Sequence, residues 1–333
     1  MTLDFQHTAF LFPGQGSQSV GMGRDLAARY EIAQTTFEEA NEILGFDLAR
    51  LMWEGPEDEL NDTLNTQPAL YVHSIAAYRV MQECFPHPSA GSPVPAALTQ
   101  AGRSLQPAYA AGHSLGELSA MTAAGALPFA DGVRLVRRRG ELMKRAGQVA
   151  PGGMAAILGL DIPTLESLCA QASRAEEIVK VANDNCPGQV VLSGAKPALE
   201  RVLELAQAAG ARRAVLLAVS IAAHSPLMAS AEADFKAAVD AAPFADARLP
   251  VVSNITAQPI SKVHALRADL NAQLTCRVRW TESIQFMLAQ GVTTFLEIGA
   301  GSVLTSLVKR ISGETTRLTL GTPEDFEKLR EGW

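Results

Sequence analysis

Gly112-His113-Ser114-Leu115-Gly116 sets a serine between two glycines, at the point where a short apolar run, PAYAAG, gives way to a small-residue helical pattern. A sharp strand-to-helix turn there lifts the serine oxygen above the sheet edge, and flanking glycines let strand and helix approach closely. Ser114 therefore reads as a nucleophile. It also opens a helix, where unpaired N–H groups and the positive end of the dipole favour a developing anion. A serine hydroxyl is a weak nucleophile near neutral pH and needs a base, nearly always histidine. The chain offers six histidines. His7 and His73 lie in apolar patterns, His87 in a Pro-rich stretch, and His264 opens a polar helix, so these read as structural or solvated. His113 adjoins the serine, but neighbours on a tight turn usually point apart, which makes it a poor base. His224, in Ser220-Ile221-Ala222-Ala223-His224-Ser225-Pro226, follows an extended run and precedes a proline-led turn, where catalytic groups collect. Spacing makes His224 the strongest candidate without removing the others.

The Gly-rich turn Gly14-Gln15-Gly16-Ser17-Gln18 invites a dinucleotide reading, which fails because position 19 is serine where the fingerprint needs glycine. A Gly-Lys-Ser/Thr phosphate loop is absent too. Backbone N–H groups of such a turn can instead help hold an oxyanion, together with the N–H of the residue after the nucleophile. Gln15 and Leu115 are assigned these two donors.

The elements that must position these groups follow from rhythm and punctuation. The chain has 333 residues, which at roughly 150 residues per domain means one large domain or two unequal ones. With 47% hydrophobic and 19% charged residues it is a globular sequence rather than a disordered one. A net charge of −7 argues against nucleic acid as a partner, and apolar runs too short to span a bilayer argue against a membrane. The N-terminus lacks the features of a secretory signal, so a cytoplasmic protein is expected. Four scattered cysteines, Cys84, Cys169, Cys186 and Cys276, carry no metal-ligand or disulfide spacing and are expected to be reduced, with no metal site.

The run HTAFLFPG reads as a buried strand delivering the Gly-rich turn, and helical patterns follow at 23–44 and 66–84. Prolines punctuate 86–107, which reads as a surface loop or insertion. After the Ser114 helix comes a basic one, FADGVRLVRRRGELMKRAG. Segment 152–219 then alternates strand, helix, strand, strand, helix, strand, the split βαβ pattern of a ferredoxin-like unit. Strand LPVVSN, helices near 262–275 and 280–290, strand TTFLEIG and helix SVLTSLVKRI complete the chain. Strands alternating with helices imply an α/β protein with a mainly parallel sheet. The expected domains are 1–148 with 220–333 as the large unit and 149–219 as the inserted ferredoxin-like (βαββαβ) subdomain.

FPGQGSQ at 12–18, GHSLGE at 112–117, Arg-Gly at 139–140, ANDNCPGQVVLSG at 182–194, VSIAAHSPLM at 219–228, LNAQL at 270–274 and LEIGAGSVLTSLVKR at 296–310 stand in this order. Taken jointly, they resemble the malonyl-CoA:acyl carrier protein transacylases over nearly the whole chain. The resemblance implies an α/β-hydrolase-like large domain. It implies that Ser114 takes an acyl group as an ester, that His224 is base and then acid, and that Gln273 supplies a backbone carbonyl orienting His224. Arg139 then corresponds to the arginine that binds the free carboxylate of malonyl, a task suited to a planar guanidinium. Four arginines at 134, 137, 138 and 139 cannot share one helix face, so Arg139 is expected inside and most of the others outside. The outer ones, with Lys144 and Arg145, are candidates for CoA phosphates or an acidic carrier. Asn183 and Asn185 are expected beside the acyl-pantetheine cleft, with His113 at the substrate and Met143 in the cleft wall.

The implied reaction moves malonyl from CoA to an acyl carrier protein in fatty acid or polyketide synthesis. It needs no cofactor, the CoA thioester being substrate, and a monomer is usual. An acyl-thioester hydrolase and the transferase subunit of a malonate decarboxylase are alternatives. Two departures from the pattern, Ala300 in EIGAG and Arg277, where relatives often have proline, are expected to lie away from the chemistry. Ala223, where relatives often have Phe or Ser, would leave room for a substituent on the malonyl α-carbon.

Overall fold

The computed structural model describes residues 4–85 and 106–332, so most of the Pro-rich stretch at 86–107 lies outside the described residues. The strands are β1 (Thr8–Phe12), β2 (Tyr109–Gly112), β3 (Gly152–Leu158), β4 (Val179–Cys186), β5 (Gln189–Ala195), β6 (Arg213–Leu216), β7 (Val251–Val252), β8 (Pro259–Ile260), β9 (Thr294–Ile298) and β10 (Thr316–Leu320). Helices α1 (Arg24–Arg29), α2 (Glu31–Leu44), α3 (Leu48–Glu54), α4 (Glu57–Asn61) and α5 (Thr63–Cys84) precede β2. They are followed by α6 (Gly116–Ala123), α7 (Phe129–Val149), α8 (Ile162–Ala172), α9 (Lys196–Ala208), α10 (Ala229–Ala241), α11 (Val263–Gln273), α12 (Trp280–Ala289), α13 (Val303–Ile311) and α14 (Pro323–Gly332).

The larger sheet has the order β10-β9-β1-β2-β7-β8, parallel throughout except for the short antiparallel pairing of β7 with β8. Its central strands read TAFLF and TFLEI, and every residue of both is buried. Near-continuous apolar runs of this kind are what a parallel sheet covered on both faces requires. Glu297 in β9 is buried, yet its carboxylate accepts the N–H groups of Leu304 (3.0 Å) and Thr305 (2.7 Å) at the start of α13. The motif around it is thus a strand-to-helix cap.

Residues 152–216 carry the second sheet, order β4-β5-β3-β6 and wholly antiparallel, with α8 and α9 contributing to its core through Leu165, Leu168, Leu199 and Val202. This is the ferredoxin-like order. The unit is stitched to the rest where Val278 forms a parallel bridge to Asn183, Asp184 N–H donates to the Val278 carbonyl at 2.9 Å and Thr281 Oγ1 donates to Asp184 Oδ1 at 2.6 Å.

Several details differ from the sequence expectation. The pattern at 23–44 is two helices, because Tyr30 is extended between α1 and α2. The run LPVVSN forms only the two-residue β7, since Asn254 turns away to serve the serine turn. Among the described residues, no helix is long and apolar enough to cross a membrane.

Candidate active site

Strand β2 ends at Gly112, beside Phe12 of β1, and α6 begins at Gly116. A Cβ on Gly112 would stand 1.9 Å from the Gly116 carbonyl carbon, and one on Gly116 would stand 2.0 Å from the Phe12 carbonyl oxygen. Both glycines are therefore fixed by close backbone approach. Between them Ser114 adopts φ 52°, a left-handed conformation that costs energy for a non-glycine residue and must be held by its surroundings. Asn254 does much of the holding. Its Oδ1 accepts the Ser114 N–H at 2.7 Å, and its Nδ2 donates to the Gly112 carbonyl at 2.7 Å.

His224 also has a positive φ, 59°, and its N–H donates to the Leu274 carbonyl at 3.0 Å. Its Nε2 lies 2.7 Å from Ser114 Oγ. Nδ1 faces the carbonyl oxygens of Gln273 (2.9 Å) and Cys276 (3.1 Å). Both of those partners can only accept, so Nδ1 carries the ring hydrogen and Nε2 is left as the acceptor for the serine proton. Burial, and next the charge of Arg139, push the His224 imidazole down to about 3, which keeps it neutral.

Arg139, on the inner face of α7, is 1% exposed. Its Nη2 donates to Ser114 Oγ at 3.1 Å and to Gln273 Oε1 at 2.9 Å, and its Nη1 donates to Gln67 Oε1 at 2.9 Å. Nε, on the same edge as Nη2, is buried without a hydrogen-bond partner among the described residues. Burial lowers the guanidinium only to about 10, so it stays cationic at neutral pH. Arg134 is exposed and Arg137 and Arg138 half-buried, each against an acid on the same helix, while Lys144 pairs with Asp62 and Arg145 with Asp234.

Gln15 and Leu115 flank the serine turn from two sides. Gln15 Oε1 accepts from Thr63 Oγ1 at 3.0 Å, tying the Gly-rich loop to the start of α5, and a Cβ on Gly14 would meet the His113 carbonyl at 2.3 Å. Leu115 precedes the first residue of α6. Among the described residues no acceptor meets the backbone N–H of either. His113 Nε2 bonds Asn185 Oδ1 at 2.8 Å, and the ring packs edge-on against Trp280. Met143 is buried, and its sulfur receives a bond from Gln67 Nε2 at 3.4 Å. Asn183 is placed by its bridge to Val278. Neither Met143 nor Asn183 bonds directly to the serine, histidine or arginine.

Arg277 turns its side chain to surface acids rather than to Ser114, His224 or Arg139. It directly follows Cys276, whose carbonyl touches His224, and its guanidinium bonds Glu166 of α8 at 3.0 Å. Sequence reasoning passed over Gln67, Glu117, Asn254 and the side chain of Gln273. Glu117 stood inside GHSLGE and Asn254 at a strand end, both readable as positions near the turn, but Gln67 carried no signal in an otherwise buried helix. Among the described residues no group of three His, Cys, Asp or Glu could hold a metal ion.

The arrangement is a serine whose proton has one neutral imidazole to go to, beside a buried cation with an unpaired donor. Residues 9–318 match the family described as Acyl transferase domain. The chain is 44% identical over 315 residues to the malonyl CoA-acyl carrier protein transacylase of Escherichia coli (strain K12), covering 95% of this chain and 96% of the other. It is 42% identical over 319 residues to that of Bacillus subtilis (strain 168), covering 96% and 95%. An acyl carrier protein S-malonyltransferase from Vibrio cholerae O1 biovar eltor str. N16961 superposes with a TM-score of 0.88 at 39% identity, over 97% of this chain and 99% of that one. A malonyl-transacylase solved in complex with its type II PKS acyl-carrier protein superposes at 0.89 with 39% identity, over 98% and 100%. Sequence and fold thus agree, and the chain belongs to the malonyl CoA-acyl carrier protein transacylase family of acyltransferases.

Proposed function

We propose that the protein transfers a malonyl group from CoA to the phosphopantetheine thiol of an acyl carrier protein through an ester on Ser114. One observation carries the reading: a single serine oxygen lies 2.7 Å from a neutral imidazole nitrogen and 3.1 Å from a buried guanidinium.

Ser114 Oγ attacks the thioester carbonyl while His224 Nε2 takes its proton. The oxyanion that forms is held by the N–H groups of Gln15 and Leu115, donors of a kind whose loss costs roughly 3–4 kcal/mol in comparable sites. The carbon–sulfur bond then breaks, and His224 returns the proton to the departing CoA thiolate. The carrier thiol reverses the sequence: His224 accepts the thiol proton, sulfur attacks the ester, and the proton goes back to Ser114. Atoms balance with no cofactor, and the two half-reactions make a ping-pong cycle.

Arg139 gives the site its acid selectivity. A carboxylate laid along its Nε–Nη2 edge would satisfy the unpaired Nε and replace interactions now made to Ser114. An acetyl group would leave that buried cation unmatched. The carboxylate would also offset the positive charge that depresses His224, making the imidazole a stronger base when the correct substrate is present.

Serine, histidine and arginine meet within one copy of the chain, so their contacts need no residue from a second copy. All four cysteines are free, as suits a cytoplasmic protein. His113 and Asn185, joined across the subdomain boundary, and Asn183 line the approach for the pantetheine arm, while Met143 backs Gln67. The reading is tested by mass spectrometry of the intact protein after malonyl-CoA and again after carrier protein. A malonyl adduct that forms on the native chain, fails to form on Ser114→Ala and moves to the carrier supports it. Free malonate in place of carrier labelling would overturn it in favour of a hydrolase.

A further inference from the structure

Beneath the serine turn lie two carboxyl groups that the proposed mechanism does not use. Glu117, the second residue of α6, is fully buried, and Asp269, one turn before Gln273 on α11, is 8% exposed. Glu117 Oε1 accepts the Asn254 N–H at 2.8 Å, and Oε2 accepts from Gln273 Nε2. Gln273 Nε2 also donates to the Ser114 carbonyl at 3.1 Å, and Gln273 Oε1 accepts from Arg139 Nη2 at 2.9 Å. Asp269 accepts from Ser253 Oγ. The amide of Gln273 therefore stands between a carboxyl and a guanidinium, with its orientation set by both: the nitrogen must face Glu117 and the oxygen must face Arg139.

We propose that Glu117, acting through the Gln273 side chain, is a positioning residue that fixes the Arg139 guanidinium against Ser114 and so sets the preference for an acyl group bearing a carboxylate. This rests on the reading of Arg139 given above. Without Glu117 the amide nitrogen keeps only the Ser114 carbonyl, at 3.1 Å, and a flip would present its NH₂ to Arg139 and push the cation off the serine. Glu117 opposes that flip because its Oε2 accepts from the NH₂. Asp269 has a different part. Its charge, second only to burial, raises Glu117 well above the usual carboxylate range.

The experiment compares acylation of Ser114 by malonyl-CoA and by acetyl-CoA, read as the ratio of their kcat/KM values. Glu117→Gln puts an NH₂ where one of two donors needs an acceptor, and it should lower the malonyl-to-acetyl ratio by about 10-fold or more, the scale on which outer partners of site groups act. Gln273→Leu keeps the backbone carbonyl for His224 while removing the relay, and it should lower the ratio to a similar degree. This second variant decides the matter should Glu117→Gln not fold. A merely structural role would slow both substrates alike and leave the ratio in place, which would overturn the proposal. In an Arg139→Ala background, Gln273→Leu should change the ratio no further; an additional loss there would also overturn it. Arg139→Ala alone separates the two readings. If it leaves the ratio unchanged, the role of Arg139 itself fails, whereas a ratio that responds to Arg139→Ala but not to Glu117→Gln or Gln273→Leu defeats only the positioning of Arg139 by Glu117.

Discussion

The Arg139 guanidinium donates to the Ser114 hydroxyl oxygen at 3.1 Å, so the proposed reader of the acyl carboxylate already touches the proposed nucleophile. This places selectivity and chemistry on one oxygen. A carboxylate two bonds from the thioester carbonyl would meet the cation as the carbonyl meets the serine.

Arg139→Ala should lower kcat/KM for malonyl-CoA by the cost of removing a buried charge partner, about 2–5 kcal/mol, and raise that for acetyl-CoA. Steady-state acylation with each thioester checks this. Equal losses for both substrates would mean that Arg139 does not read the carboxylate.

The pH profile should carry the mark of a depressed base. The active form of His224 is neutral, and in the free protein it stays neutral until the pH falls toward about 3. The kcat/KM for acetyl-CoA should therefore hold between pH 6.5 and 5, where an ordinary histidine would lose activity. Arg139→Ala removes the second cause of the depression, so its acid limb should lie at higher pH than the native one. A native limb at an ordinary histidine value would contradict the burial of the ring.

His73 gives a stability counterpart far from the serine. Its Nε2 faces the Gly321 carbonyl at 3.0 Å, and burial holds it at about 4 against a usual 6.5. Above pH 6.5 both folded and unfolded chains carry it neutral, and its contribution to stability is intact. Below 6.5 the unfolded chain takes a proton that the folded chain refuses until about 4, so stability falls across that window. The shift corresponds to about 3 kcal/mol. Thermal melts of native and His73→Gln protein at pH 7 and pH 4.5 should show a smaller loss for the variant.

Gly116→Ala should be more damaging than its size suggests. The added Cβ would stand 2.0 Å from the Phe12 carbonyl oxygen, a backbone atom that can move only by shifting β1. Overpacking of this kind costs roughly 1–3 kcal/mol. Because the displaced helix carries Glu117 and directly follows Leu115, acylation should fall further than the melting temperature implies; a variant with native activity would show that the turn tolerates the shift.

Ala223 is half-buried next to His224, and the expectation that its small side chain leaves room for a substituent on the acyl α-carbon has a direct test. Methylmalonyl-CoA should therefore compete with malonyl-CoA in the native protein, and Ala223→Phe should suppress it. A native preference for malonyl above about 100-fold, the range that one methyl group can command, would remove the idea.

Much of this molecule was legible in its sequence because the relevant interactions are local. The glycines at 112 and 116 announce the turn that exposes Ser114, since close backbone approach admits only glycine. The alternation of strands and helices gave the α/β class, and the changed rhythm after residue 152 gave the antiparallel unit, since side-chain periodicity is set by the backbone itself. Spacing could not choose among six histidines, because the partner of Ser114 lies 110 residues away and only the closure of the sheet brings it to 2.7 Å. The network under the site was equally hidden. Gln67, Asn254 and Gln273 are neutral amides, a residue type that signals nothing until burial and direction are known. The family resemblance already assigned the Gln273 carbonyl to His224, while tertiary structure alone shows its side chain serving Arg139. The reason is physical: an amide's effect depends on which end faces which neighbour, and that is decided by packing between segments far apart in the chain.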